Sequence, residues 1–253
     1  MSSQIVSLVA PAKLTVSLKV TGVRADGFHL IDAEMVTLEL ADELDVDVSR
    51  TGLEIIGKFS GNLSATNQDL TNNLVSRALL LAGRKAHVRV TKNIPAGGGL
   101  GGGSADAAAI LRWAGFTDLV SAAKLGADIA FCIVGGRARV LGIGEIIEPL
   151  EKIQRDITLV IPPFGVSTPA VYQAFDDLTD FGKIHANNSG VNDLEIAAIK
   201  VEPRLATWKQ IISQAAGVEP VLAGSGSTWW LDGKFENLAE QLSDATVVVT
   251  RTK

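Results

Sequence analysis

The stretch PAGGGLGGGSADAAA, residues 95–109, places six glycines in seven positions and then runs directly into alanine. Each glycine gives up more backbone freedom on folding than any other residue would, so a cluster this dense needs a return that only glycine supplies. Close approach of backbone N–H groups to a ligand is such a return. The residues that follow predict a helix over 104–114, with Ser104 as N-cap, Asp106 in the first turn and Gly115 just past the end. Upstream, AHVRVTKNI alternates apolar and polar residues as a strand does.

Several readings compete for this strand, glycine loop and helix. Gly97, Gly99 and Gly102 satisfy the dinucleotide pattern GxGxxG, but a run this rich in glycine satisfies it by chance. A second strand ending in an acid for the ribose is also missing. A Walker loop is excluded, since it needs Gly-Lys-Ser/Thr and no lysine lies between Lys92 and Lys124. A third reading is a phosphate cradle of another kind, built from loop amides and the exposed N–H groups of the helix N-terminus. The bland alternative is a flexible surface loop.

A chain of 253 residues, 47% of them apolar, can bury one large core or two modest ones. Its net charge of −5 argues against a nucleic-acid or membrane-surface binder, so an anionic ligand has to be met by a local device. The lone cysteine, Cys132, allows no internal disulfide and belongs to no zinc-type cluster, which fits a reducing cytoplasm. The N-terminal residues do not read as a signal peptide, and the longest uncharged run, 157–175, is broken by Pro162, Pro163, Gly165 and Pro169.

Strand-like alternation dominates the first half, as in VSLKV at 16–20, and helical spacing marks TNNLVSRALLLAG. The second half reads as helices over PAVYQAF, VNDLEIAAI, RLATWKQIISQAAG and KFENLAEQLSDA. Strand signals stand at RDITLVI and TVVVTRT, and PVLAGSGSTWWLDG reads as strand, glycine turn, strand. The class is mixed α+β with two layers per domain and a boundary near 150–156. Parity puts Lys13 of VAPAKLTV on the solvated face of its strand with Thr15, Ser17 and Lys19. Asp128, the only charge between Lys124 and Arg137, either caps a buried helix or faces a cleft. If both face the glycine loop they acquire chemistry: a carboxylate to take or orient a hydroxyl proton, and an ammonium that holds it ionised.

PAKL at 11–14, PAGGGLGGGSADAA at 95–108 and AGSGS at 223–227 resemble, in that order, the three motifs of the GHMP small-molecule kinases, which include galactokinase, homoserine kinase and mevalonate kinase. RADGFH at 24–29, LGAD at 125–128, STPAVY at 167–172 and NDLE at 192–195 resemble the branch that acts on 4-diphosphocytidyl-2-C-methyl-D-erythritol. The resemblance runs nearly end to end. It implies a two-domain fold, a ribosomal-protein-S5-like α/β domain over 1–153 and a ferredoxin-like α+β domain over 154–253, with the active site in the cleft between them. It also implies transfer of the γ-phosphoryl group of ATP, with Mg²⁺, to the substrate 2-hydroxyl in the non-mevalonate route to isoprenoid precursors.

By position, the resemblance assigns Lys13 and Asp128 to the catalytic pair. It gives the ATP phosphate loop to Pro95, Ala96, Gly97, Gly98, Gly99, Leu100, Gly101, Gly102, Gly103, Ser104 and Ala105. No direct Mg²⁺ ligand is read: Ser104, close to the phosphates, is one candidate, and ATP oxygens and water alone are equally able to hold the metal. Asn73 and Lys92 match the adenine side. Phe28 and Tyr172 match two aromatics that sandwich the cytosine, and His29 a residue that reads its edge. Gly224 and Gly226 match positions facing the substrate diphosphate. Without the resemblance Tyr172 reads as core packing, His29 as a surface residue and AGSGST as a hairpin turn; His87 and His185 match no motif.

Three departures stand out. Thr15 replaces the usual asparagine after PAKL, Ala130 replaces the usual proline after LGAD, and the connection from the glycine-loop helix into LGAD is short. The expected partner is a small molecule, neither nucleic acid nor membrane, bound by a monomer or weak homodimer. Rival readings are another GHMP kinase, of homoserine or mevalonate type, a non-catalytic nucleotide-binding sensor, and, more distantly, a dinucleotide oxidoreductase.

Overall fold

The structure, a computed structural model, describes residues 5–60, 72–179 and 190–253. Two sheets organise it. The first is built on two long antiparallel strands, β1 (Ile5–Val23) and β2 (His29–Asp47), joined by the RADG turn. The other edge of β2 is shared: its first half pairs with β5 (Arg137–Gly142) and its second half with β4 (His87–Thr91). Beyond these lie β3 (Gly52–Ile56), parallel to β4, and β6 (Ile146–Pro149), antiparallel to β5. Against this sheet pack α1 (Leu74–Leu81), α2 (Gly102–Trp113), α3 (Leu119–Leu125) and α4 (Ile129–Val134).

The second sheet, wholly antiparallel, has the order β10 (Thr246–Arg251), β7 (Asp156–Ile161), β9 (Trp229–Asp232) and β8 (Val221–Leu222). It carries α5 (Thr168–Leu178), α6 (Glu195–Val201), α7 (Arg204–Ala216) and the single turn α8 (Leu238–Gln241). The KFENLAEQLSDA segment therefore yields far less helix than its spacing predicts. Helix α5 starts where its residues dictate: the Ser167 side chain accepts from Ala170 N–H, and Pro169 sits in the first turn.

The halves are sewn together. Leu18 on β1 bonds Val191 O through its N–H and Asp193 N–H through its carbonyl, while Thr228 N–H reaches Gly98 O. On the other side, Lys253 N–H reaches Thr37 O on β2. One apolar cluster runs through both sheets. At its centre, α2 buries every residue from Ala105 to Leu111. Four of the seven are alanines, which let the helix lie close against the first sheet.

Two local expectations need correction. Helix α2 starts at Gly102, with Gly101 as its cap in the left-handed region (φ 69°), so Ser104 is inside the first turn and does not cap. The glycines place the cap three residues earlier than Ser104 would. Asp106 accordingly falls in the second turn, away from the first-turn amides, and is buried.

Lys13 is also not on a solvated face. The pairing of β1 with β2 shifts register between Pro11 and Lys13 and again between Thr15 and Ser17. Each shift breaks the two-residue period on which the parity argument rested. Residues 12 to 15 are all buried, and Lys13 is 5% exposed. His87 stands on β4 opposite Gly52 and Asp47, and it lines neither of the cavities described below. His185 lies outside the described residues.

Candidate active site

The glycine loop leaves β4 and passes between the two halves. Gly97, Gly99 and Gly101 have φ of 73°, 76° and 69°, conformations that side chains resist. At two of them space forbids a side chain as well. A Cβ on Gly99 would lie 2.7 Å from Ala223 O and 2.8 Å from Gly226 O, and one on Gly101 would lie 2.8 Å from Lys13 Cγ.

The loop separates two cavities. The smaller, about 270 Å³, is lined by Ile55, Asn73, Leu74, Lys92, Ile94, residues 95–103 and Asp106. The larger, about 640 Å³, is lined by Lys13, Thr15, Phe28, His29, Ser104, Asp128, Tyr172, Gly224, Ser225 and others, together with Gly97, Gly99 and residues 101–103. The loop thus belongs to both, as a phosphate cradle between a nucleotide and an acceptor would. Ala105 and Gly226 line neither: Ala105 is in the helix core, and Gly226 packs its carbonyl behind Gly99.

Lys13 is held on the larger cavity by its backbone, whose N–H donates to Leu100 O at 3.0 Å. Its Nζ lies 3.2 Å from Asp128 Oδ2 and donates to Thr15 Oγ1 at 3.1 Å. The threonine hydroxyl therefore takes a polar contact at the position where asparagine is usual. Asp128 stands at the start of α4, but its side chain makes no capping bond, so the carboxylate is turned to Lys13 and the cavity. Side-chain exposures of 7% for Lys13 and 29% for Asp128 leave the carboxylate as the accessible member.

At the far end of this cavity, Phe28 is 57% exposed, with the Arg24 guanidinium 5.6 Å from its ring centre. The rings of His29 and Tyr172 meet at 4.6 Å between centroids and 36° between planes. Burial, with the Asp128 charge adding to it, pushes the Tyr172 hydroxyl up to about 12, so it stays protonated. His29 Nε2 lies 2.6 Å from Asp176 Oδ1, on the same helix as Tyr172 and one turn further on.

The AGSGS turn reaches the cavity through Gly224 and Ser225. A Cβ on Gly224 would sit 3.6 Å from Thr15 Oγ1 and 4.0 Å from Lys13 Nζ. Asn192 fixes the turn: its amide donates to Leu222 O at 2.9 Å and Gly224 O at 2.7 Å, and its Oδ1 accepts from Leu194 N–H at 3.0 Å. Asp193 beside it pairs with Lys19 at 2.9 Å. These contacts give the NDLE motif a structural purpose.

In the smaller cavity Asn73 caps α1, its Oδ1 accepting from Val75 N–H at 2.8 Å. Lys92 is buried between two carboxylates: Nζ pairs with Asp42 and, at 2.7 Å, with Asp106 Oδ2. Burial works against the ammonium, but the two acids outweigh it and hold the Lys92 pKa above its ordinary value. Asp42 also accepts from Ile94 N–H at 2.8 Å, which ties the entry of the glycine loop to β2.

Asp176, Asn192, Asp42 and Asp106, with the hydrogen-bonded Thr168 and Ser225, are polar residues of the site to which the sequence reading gave no role there. Two had a visible signal: Asp176 lies four residues beyond Tyr172, on the same helical face, and Asn192 opens NDLE. Cys132 is buried, and burial pushes its thiol up to about 12, so it is no nucleophile. Among the described residues no group of three or more His, Cys, Asp or Glu side chains could hold a metal ion, and no helix is long and apolar enough to cross a membrane.

Residues 73–136 match the family described as the GHMP kinases N terminal domain. A curated 4-diphosphocytidyl-2-C-methyl-D-erythritol kinase of Paracoccus denitrificans is 38% identical over 248 residues, covering 91% of this chain and 87% of that protein. A protein of the same name from Ruegeria pomeroyi is 36% identical, covering 87% and 85%. A crystal structure of 4-(cytidine 5'-diphospho)-2C-methyl-D-erythritol kinase superposes with a TM-score of 0.74 at 27% identity, over 98% of this chain and 99% of that one. Leishmania major mevalonate kinase reaches a TM-score of 0.72 at 11% identity, a likeness of fold alone over 100% and 97% of the two chains. The chain belongs to the 4-diphosphocytidyl-2-C-methyl-D-erythritol kinases, a branch of the GHMP kinase family.

Proposed function

We propose that this protein transfers the γ-phosphoryl group of ATP to the 2-hydroxyl of 4-diphosphocytidyl-2-C-methyl-D-erythritol. The observation that carries the reading is the Lys13–Asp128 pair, 3.2 Å apart, in the cavity that meets the nucleotide side along the glycine loop. Residues 1–153 would supply the nucleotide side and the catalytic pair, and residues 154–253 the glycine turn and Tyr172. An ATP-consuming enzyme with one buried cysteine suits a reducing cytoplasm.

The cradle fits a polyphosphate: its φ > 0 glycines expose backbone N–H groups, and it opens into the N-terminus of α2. Bound ATP with Mg²⁺ would supply the phosphoryl group and neutralise part of its charge. The metal would be held by phosphate oxygens and water, with Ser104 as the candidate protein ligand, in keeping with the hydration Mg²⁺ retains.

Loop amides orient the phosphates, which fixes the direction of transfer. Lys13 pairs with Asp128 and adds positive charge where negative charge develops. Asp128 orients the substrate hydroxyl and takes its proton on the carboxylate as the new O–P bond forms and the bond from the γ-phosphorus to the departing ADP oxygen breaks. Phe28, His29 and Tyr172 hold the cytosine at the far end, and the turn at Gly224 meets the substrate diphosphate.

The test is ADP release by purified protein supplied with ATP, Mg²⁺ and one acceptor at a time. Turnover with the cytidylyl substrate, and none with homoserine or mevalonate, is expected. Equal turnover with homoserine or mevalonate overturns the choice of substrate. Tight ATP binding with no turnover on any acceptor means a nucleotide sensor.

A further inference from the structure

Asp106 lies against the smaller cavity with one oxygen committed and one not. Its Oδ2 takes Lys92 at 2.7 Å, whereas Oδ1 is buried and has no hydrogen-bond partner among the described residues. The side chain is 6% exposed, so that oxygen faces the interior and not bulk solvent. A buried carboxylate oxygen left without a donor costs free energy, and native proteins keep few of them without a reason. The cavity supplies one, since Asp106 shares its lining with Asn73, Lys92 and the glycine loop, and does not line the larger cavity.

Lys92 is not a phosphate ligand in this arrangement, because its Nζ is committed to Asp42 and Asp106. A carboxylate is an acceptor, and so are the oxygens of a bound polyphosphate; what Asp106 can bind is a donor. On a nucleoside triphosphate the donors are the ribose hydroxyls and the exocyclic amine of the base. We propose that Asp106 is a nucleoside-binding residue, whose Oδ1 accepts a hydrogen bond from a ribose hydroxyl or from the adenine amino group of ATP.

Asp42 and Lys92 are the titratable groups facing it. Burial, only partly offset by Lys92 and reinforced by Asp42, raises the Asp106 carboxyl to about 7. The proposal rests on the reading that the smaller cavity takes the nucleoside.

The experiment is a ligand-by-variant cycle read by calorimetry. The unaltered protein, Asp106→Ala and Asp106→Asn are each titrated with ATP, 2'-deoxy-ATP, 3'-deoxy-ATP and inosine triphosphate. One of the three analogues is expected to bind the unaltered protein roughly tenfold or more weaker than ATP, as loss of a bond to a charged group implies. That penalty disappears in Asp106→Ala and is partly kept in Asp106→Asn, which retains an acceptor oxygen. A lost 2'- or 3'-hydroxyl penalty identifies the ribose, and a lost inosine penalty the amine.

Thermal melts and an unchanged affinity for the cytidylyl substrate check that each variant is folded. If all analogue penalties are equal in the unaltered protein and Asp106→Ala, the assignment fails; a water satisfying Oδ1 would give that result. If the unaltered protein binds no ATP, the reading of the cavity fails instead.

Discussion

Asp176 and His29 are joined across the two halves of the chain by a 2.6 Å hydrogen bond between carboxylate and imidazole Nε2. A carboxylate only accepts, so the bond keeps a proton on Nε2 and fixes the ring against Tyr172. Asp176 therefore acts through His29. Asp176→Ala is expected to raise KM for the cytidylyl substrate roughly tenfold while kcat stays within about twofold, because base recognition is lost and the phosphoryl end is untouched. Asp176→Glu should recover part of the affinity. A fall in kcat at unchanged KM would show instead that the contact supports the fold of the catalytic end.

The Lys13–Asp128 pair predicts the opposite division of effects. Asp128→Ala removes the proton acceptor and should lower kcat by about 10²–10⁴-fold with ATP affinity preserved. Lys13→Met should also cost kcat, and the double variant should lose less than the sum of the two, since each residue acts through the other. Single-turnover rates beside ATP titrations separate these outcomes. Additive losses would mean that the two residues act independently.

How much of this was legible in the sequence depends on which physical signal carried it. A backbone bend that only glycine adopts readily was, because six glycines stand in seven positions; so were the strand, turn and strand around AGSGS and the helix over PAVYQAF. The orientation of Lys13 was not, because register shifts on both sides of residues 13–15 reset the strand parity, and nothing local announces them. The start of α2 was misread because a left-handed glycine caps as well as a serine. Asp42, Lys92 and Asp106 come from three separate elements, so only the fold reveals that they form one buried cluster. The pairing of His29 with Asp176 likewise spans 147 positions.

Asn192 is expected to govern the diphosphate end without touching the phosphoryl transfer itself. Its amide satisfies two backbone carbonyls of the AGSGS turn, and its carbonyl oxygen one N–H at the start of α6. Asn192→Ala leaves these buried groups unpaired and should cost about 1–3 kcal/mol for each group stranded, partly relieved by relaxation. Denaturant midpoints and KM for the cytidylyl substrate should shift together. Asn192→Asp keeps the acceptor for Leu194 but offers no donor to Leu222 and Gly224, so it should not rescue either quantity. A rescue by aspartate would show that the two carbonyl contacts are dispensable.

Asp106 also makes stability depend on pH in a direction opposite to most carboxylates. Its carboxyl is raised from 3.8 to about 7, first by burial, so the folded state holds its proton more tightly than the unfolded chain does. The stability that this proton confers is complete below 3.8 and is lost as pH rises toward about 7, where the folded protein must bury the ionised form. Asp106→Asn removes the titration but leaves Lys92 paired with Asp42. The unfolding free energy of the variant minus that of the unaltered protein should therefore grow in favour of asparagine between about pH 4 and 7 and level off above, histidine contributions cancelling in the difference. Urea unfolding at unit pH steps, without nucleotide, measures it. A difference that stays flat across this range would mean that Lys92 holds Asp106 ionised throughout.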